Sequence, residues 1–97
     1  MTKARVTTLT NASNTITSGG TAQTTVASDA SGYNYLIQNN SIGDLWFSTL
    51  ATAVQSQPSI KLPAGAAYET PDSLKAVGAL SVIGATTGQA FTIRKWG

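Results

Sequence analysis

The sequence contains neither cysteine nor histidine, and charged residues make up only 10% of its 97 positions. Without cysteine the chain has no disulfide, no zinc-finger ligands and no thiol nucleophile. Without histidine it lacks the commonest general base and the commonest metal ligand. Ordinary soluble domains carry about 25% charged residues. The net charge of +2 is too small to indicate nucleic acid as a partner.

Long apolar runs and helical periodicity are also missing. No run approaches the roughly 18 apolar residues that a membrane-spanning helix requires. Lys3 and Arg5 are followed by a threonine-rich segment and not by the apolar stretch of a secretion signal. No segment sustains the 3.6-residue period of an amphipathic helix. We therefore expect a protein without helices and without a membrane as a partner.

The sequence instead offers short β-branched and aromatic segments separated by glycine, proline and asparagine. Threonine and serine supply about a quarter of the chain, and such segments have good strand propensity. Turn signals every 8–12 residues or so are typical of a β-sandwich or a small barrel. The predicted strands are Tyr33–Gln38, Asp44–Ser48, Ser59–Leu62, Ala66–Thr70, Ala79–Gly84 and Phe91–Trp96.

Two of these segments predict finer detail. The turn-forming cluster Asn39-Asn40-Ser41 separates Tyr33–Gln38 from Asp44–Ser48 by a short gap, which predicts a hairpin. In Ser59–Leu62 the alternation predicts that Ile60 and Leu62 point inward and that Ser59 and Lys61 point outward. Thr49–Gln57 remains open between one helical turn and a loop.

The chain divides into a polar region, residues 1–32, and a body, residues 33–97, within one domain. The first region carries few large apolar side chains, so it cannot form a core alone. Its threonine-rich segments, Arg5–Thr10 and Thr21–Ala27, flank a Ser18-Gly19-Gly20 turn signal. We interpret this region as edge strands or as an extended N-terminal arm.

Few residues are suited to catalysis. Glu69 and Asp72 form the only close acidic pair for a hydrolase, but Pro71 separates them at a strand end. A calcium site at Asp29 or Asp44 lacks the clustered acidic spacing that supplies six to eight oxygen ligands. A nucleophilic serine has no histidine beside it. We therefore expect no enzymatic activity and no cofactor.

Aromatic residues are better candidates for contact surface. Trp46 lies between Leu45 and Phe47, so on a strand it points to the opposite face from these neighbours. An exposed tryptophan indicates an interface anchor or a sugar-stacking platform. The interface candidates are Trp46, Trp96, Tyr33, Arg5, Val6 and Leu9, and Tyr33 is also a candidate sugar platform.

The segments Tyr35–Ser41, Pro63–Gly65, Tyr68-Glu69 and Ala79–Gln89 together resemble small structural proteins of tailed bacteriophages. The proteins in question are capsid decoration (cement) or head-fibre components. The similarity covers about residues 33–96, and the N-terminal third carries no matching motif.

The resemblance implies an oligomeric β-sandwich or jelly-roll-like module that binds the major capsid protein or another virion protein. It implies a place in the virion after assembly in the host cytoplasm, and we expect a homo-oligomer, with a trimer favoured. The leading hypothesis is a capsid decoration protein that stabilises the shell. The alternative is a receptor- or carbohydrate-binding tail or fibre module.

Overall fold

The computed structural model describes residues 9–71 and 73–96, with side chains described from Asn14 onward. The described residues form eight β-strands and contain no helix, hence none that could cross a bilayer. The strands are β1 Leu9–Thr15, β2 Gln23–Val26, β3 Asn34–Asn39, β4 Leu45–Ser48, β5 Ile60–Leu62, β6 Ala67–Glu69, β7 Leu80–Gly84 and β8 Ala90–Trp96.

The strands form two four-stranded sheets, in the orders β1-β8-β3-β6 and β2-β7-β4-β5. Every pairing is antiparallel, and the first strand pairs with the last, the second with the seventh, the third with the sixth and the fourth with the fifth. This is the order that arises when one long antiparallel ribbon is wound into a barrel, which is the jelly roll. The expectation of an all-β, jelly-roll-like sandwich is confirmed.

The core lies between the two sheets and follows the two-residue alternation of the strands. In β8, Phe91 and Ile93 are buried on one face. All five residues of β7 are buried because it is a central strand whose outer face is also covered. The N-terminal strands β1 and β2 are edge strands, one in each sheet. Ile16 and Val26 bring apolar side chains from this region into the core.

The predicted hairpin between Tyr33–Gln38 and Asp44–Ser48 is wrong. β3 and β4 lie in different sheets, so the short connection between them crosses from one sheet to the other. Asn39 lies at this crossing: its side chain is fully buried and its amide nitrogen donates to the carbonyls of Gly43 and Leu62. The turn cluster therefore reverses the chain without pairing the two strands that it joins.

The alternation predicted for Ser59–Leu62 is also partly wrong. Leu62 is buried, but Ile60 is half exposed because β5 is a short edge strand. Ser59 is buried instead, where its hydroxyl accepts a hydrogen bond from the amide of Val54. Residues 49–59 form a loop, so the structure favours the loop over the helical turn.

Candidate docking site at one end of the barrel

Antiparallel winding places alternate connections at opposite ends of the barrel. The connections 27–33, 49–59 and 70–79 lie at one end, which we call the loop end. β1 begins with Leu9 and β8 finishes with Trp96 at this same end, where the two residues lie opposite each other in register. The loop end therefore gathers three long connections and both terminal strands.

A cleft of about 290 Å³ opens between the connections of the loop end. Tyr35 from β3 and Tyr68 from β6 line its floor, and their ring centroids are 5.9 Å apart. Phe47 packs beneath them, with its ring centroid 5.4 Å from that of Tyr68 and 6.4 Å from that of Tyr35. The floor is thus an aromatic cluster that belongs to the core and extends to the surface. The rim is formed by Leu50, Leu74 and Val77.

Serine hydroxyls hold the connection of residues 49–59 in place. Ser48 Oγ accepts hydrogen bonds from the amides of Leu50 and Ala51 as the chain leaves β4. The amide of Ala53 donates to Ser81 Oγ over 3.0 Å, which lays the loop against the outer face of β7. These bonds fix the position of Leu50 although its side chain faces solvent.

The connection of residues 70–79 is anchored to β3. Asn34 Nδ2 donates to Thr70 Oγ1 over 3.0 Å and to the carbonyl of Pro71 over 2.9 Å. The hydroxyl of Tyr33 donates to the carbonyl of Gly78 over 2.7 Å. A Cβ atom at Gly78 would collide with the carbonyl oxygen of Thr49, so glycine lets the two connections approach each other. These hydrogen bonds and this close approach hold the two connections that line the cleft in fixed positions.

The loop end contains a neutral phenol in the floor of the cleft and a charged carboxyl in the connection 27–33. Burial raises the pKa of the Tyr35 hydroxyl above its usual range. Hydrogen bonds from the side chain and amide of Ser31 lower the pKa of the Asp29 carboxyl, and Lys95 and Lys75 add to the effect. Among the described residues that line the cleft, Lys75 is the charged one.

The rim is exposed to an extent unusual for large apolar side chains. Leu50 is 96% exposed, Leu74 is 65% exposed and Val77 is 58% exposed. With Val54, they account for four of the six exposed large apolar side chains among the described residues. Sequence reasoning missed this group because it treated both segments as connections. The available signal was the presence of large aliphatic residues between polar turn residues.

The structure does not bring the two predicted tryptophan anchors together. Trp46 is half-buried on the outer face of the β2-β7-β4-β5 sheet, where it lies opposite Ile83 on one side and Lys61 on the other. Trp96 is half-buried on the other sheet, on the face of β8 opposite the core residues Phe91 and Ile93. One flat partner therefore cannot contact both tryptophans of one copy.

Tyr33 is placed wrongly by the sequence prediction. Its side chain has no exposed surface, since it packs in the core against Tyr35 at 5.9 Å and lies beneath Lys95 Nζ, 5.4 Å from its ring centroid. It therefore cannot serve as an interface anchor or a sugar platform in this fold. Leu9 lies opposite Trp96, while Arg5 and Val6 lie outside the described residues.

The residues weighed for chemistry are dispersed. Glu69 lies exposed on the edge strand β6, and Asp72 is outside the described residues. Asp44 pairs with Lys61 over 3.4 Å, and both side chains are about half exposed. The described part of the chain contains no group of three or more acidic side chains positioned to hold a metal ion.

Comparison with known proteins supports the fold alone. No protein-family model and no curated protein sequence matches the chain. A de novo designed double-stranded β-helix, whose structure was determined by solution NMR, is similar to it with a TM-score of 0.50. The alignment covers 93% of this chain and 97% of the design at 14% identity. The double-stranded β-helix is the same winding that the strand order shows here.

Proposed function

We propose that this chain is a docking module that attaches to a protein surface through its loop end. In the setting that the sequence resemblance implies, it is a capsid decoration protein and the surface is the outer shell of a tailed bacteriophage. The observation that carries the proposal is the exposed apolar rim of Leu50, Leu74 and Val77 around an aromatic floor. Apolar surface of this kind marks sites of protein interaction.

The composition of the loop end supports a protein partner. The centres of protein interfaces are depleted in charge and enriched in aromatic and large apolar side chains. The cleft matches this pattern, because Tyr35 and Tyr68 form its floor and Lys75 is the charged residue at its edge. Complete burial of a leucine side chain contributes about 1.5–3 kcal/mol. Burial of the 96% exposed Leu50 is thus worth about one to two powers of ten in affinity.

The test compares two side chains that are equally exposed at opposite ends of the barrel. Leu50 is at the loop end, whereas Ile42, 102% exposed, lies in the connection between β3 and β4 at the other end. Leu50→Ser and Ile42→Ser proteins would be added to phage shells assembled without this protein. Binding would be measured by co-sedimentation, and heat resistance of the shells by light scattering.

We expect Leu50→Ser to weaken shell binding about tenfold or more and to reduce the protection against heat. The Ile42→Ser protein should bind like the wild type. Equal binding by both variants, or shells that are no more heat-resistant with the wild-type protein, would contradict the proposal. Electron microscopy of particles could instead show the density of this protein only at the phage tail. Together with glycan binding that Trp46→Ala abolishes, that result would support a receptor- or carbohydrate-binding module.

A further inference from the structure

The four outer strands of the sandwich are unequally protected against pairing with another chain. Exposed edges present unpaired backbone groups, and proteins usually blunt them with charges, prolines, bulges or short strands. β6 has three residues and ends in Glu69. β5 also has three, contains Lys61 and is flanked by Pro58 and Pro63. β2 has four residues and a register shift between Thr24 and Val26.

β1 has none of these protections. It spans seven residues, LTNASNT, with no charge and no proline. Its register with β8 runs without interruption from Leu9 opposite Trp96 to Thr15 opposite Ala90. In the described part of the chain it is the last strand of its sheet. Within the residues that the structure describes, this seven-residue edge of the sandwich is therefore unpaired.

The hydrogen bonds around β1 show which backbone groups face outward. The amide of Ile16 donates to the carbonyl of Gln89, so the peptide groups of Ile16 point toward the β8 side. Backbone groups alternate along a strand, so Leu9, Asn11, Ser13 and Thr15 present theirs to the open edge. At the Thr15 end Gln23 closes the edge, because its Nε2 donates to the Thr15 carbonyl over 3.0 Å. The outward-facing backbone groups of β1 that Gln23 does not cover are therefore those of Leu9, Asn11 and Ser13.

We propose that β1 pairs antiparallel with β1 of a second copy of this chain, joining two sheets into one of eight strands. Gln23 already binds the outward-facing carbonyl of Thr15, so Thr15 is not free to pair with the second copy. A register centred on Asn11 pairs the remaining outward-facing backbone groups with one another. It places Leu9 of each copy opposite Ser13 of the other. Three residue pairs of this kind supply about six backbone hydrogen bonds, within the range of about 10 ± 5 for protein interfaces.

A second copy fits this edge better than a charged partner. β1 carries no charge, so two copies meet without like charges facing across the new pair of strands. The net charge of +2 gives little long-range repulsion between copies. The pairing is isologous and closes as a two-fold dimer. This dimer is an alternative to the trimer that the sequence analysis favours, and it does not depend on the proposed docking function.

The test uses proline at an outward-facing position. Asn11→Pro removes an amide that points to the open edge, a place where strands tolerate proline, and leaves the ladder with β8 intact. Asn11→Thr is the matched control because it retains the amide. Analytical ultracentrifugation between about 1 µM and 1 mM should show a dimer for the wild type and for Asn11→Thr. We expect the dissociation constant of Asn11→Pro to rise about tenfold or more.

Amide hydrogen exchange of the wild-type protein gives a second readout that needs no variant. In a dimer the amides of Asn11 and Ser13 become protected as concentration rises, whereas the amide of Ala12 is already bonded to β8 in a monomer. A wild type that stays monomeric to 1 mM, a trimer, or a dimer that Asn11→Pro leaves unchanged would overturn the proposal. Concentration-independent exchange at Asn11 and Ser13 would do the same.

Discussion

Asn39 gives the sharpest test of why this chain winds as it does. Its side chain is 0% exposed at the point where the chain leaves one sheet for the other. Nδ2 donates to the carbonyls of Gly43 and Leu62 over 2.7 and 2.8 Å. Oδ1 accepts from the amide and hydroxyl of Ser41 over 2.9 and 2.7 Å. One amide thus connects the end of β3, the crossing loop and β5.

Replacing Asn39 with alanine leaves two backbone groups, the Ser41 amide and the Leu62 carbonyl, without their Asn39 partner. The Gly43 carbonyl keeps a donor, because the Ser41 hydroxyl also donates to it over 3.0 Å. At about 1 kcal/mol net for each backbone group, Asn39→Ala should lower the free energy of unfolding by about 2 kcal/mol. For a domain of this size the melting temperature then falls by about 8–16 °C.

The neighbouring residue supplies the control. Asn40 is exposed and its Oδ1 accepts one hydrogen bond, from Thr92 Oγ1 over 2.7 Å. Asn40→Ala should therefore cost less than about 1 kcal/mol. Urea unfolding followed by tryptophan fluorescence measures the free energy of unfolding of both variants. The dependence of this free energy on urea concentration must be the same in both variants for the comparison to be valid. If Asn39→Ala costs no more than Asn40→Ala, the buried amide does not direct the crossing.

Two predictions concern pH. The hydrogen bonds from Ser31 lower the pKa of Asp29 in the folded state from 3.8. The contribution of Asp29 to the stability of the folded state is therefore present above about pH 4 and is lost as the pH falls through the folded pKa. Urea midpoints from pH 6 to pH 2 should therefore fall less for Asp29→Asn than for the wild type, and parallel curves would refute the assignment. The pKa of Tyr35 is raised by burial, so stability should be lost as the pH rises above about 10. Tyr35→Phe should reduce this alkaline loss, and an undiminished loss would show that Tyr35 is not its source.

Strand positions in the body were readable from the sequence because the signals are local. Ala79–Gly84 and Phe91–Trp96 differ from β7 and β8 by one residue at one end. β1 was less predictable: of the expected segment Arg5–Thr10, the described residues Leu9 and Thr10 belong to β1, which continues to Thr15. Its threonine, asparagine and serine residues carry no apolar alternation, so the pattern does not fix where the strand ends.

Strand pairing was not readable in the same way. A turn cluster such as Asn39-Asn40-Ser41 indicates that the chain changes direction, but it does not indicate which sheet receives the next strand. That choice depends on contacts distant in sequence, such as the hydrogen bond from Asn39 to Leu62. The docking cleft was missed for a related reason. Leu50 and Val77 are far apart in the chain, and only the winding places their connections at one end.

The two proposed contact surfaces constrain each other. The cleft opens at the loop end, where β1 also begins, and the β1 edge runs along the side of the barrel. Two β1 strands that pair antiparallel start at opposite ends of the joint sheet, so the loop ends of a dimer point in opposite directions. A dimer therefore cannot rest both clefts on one flat shell. Either the dimer separates when a copy docks, or one cleft of each dimer remains open to a second surface. The number of copies bound at each shell site, one or two, distinguishes these arrangements.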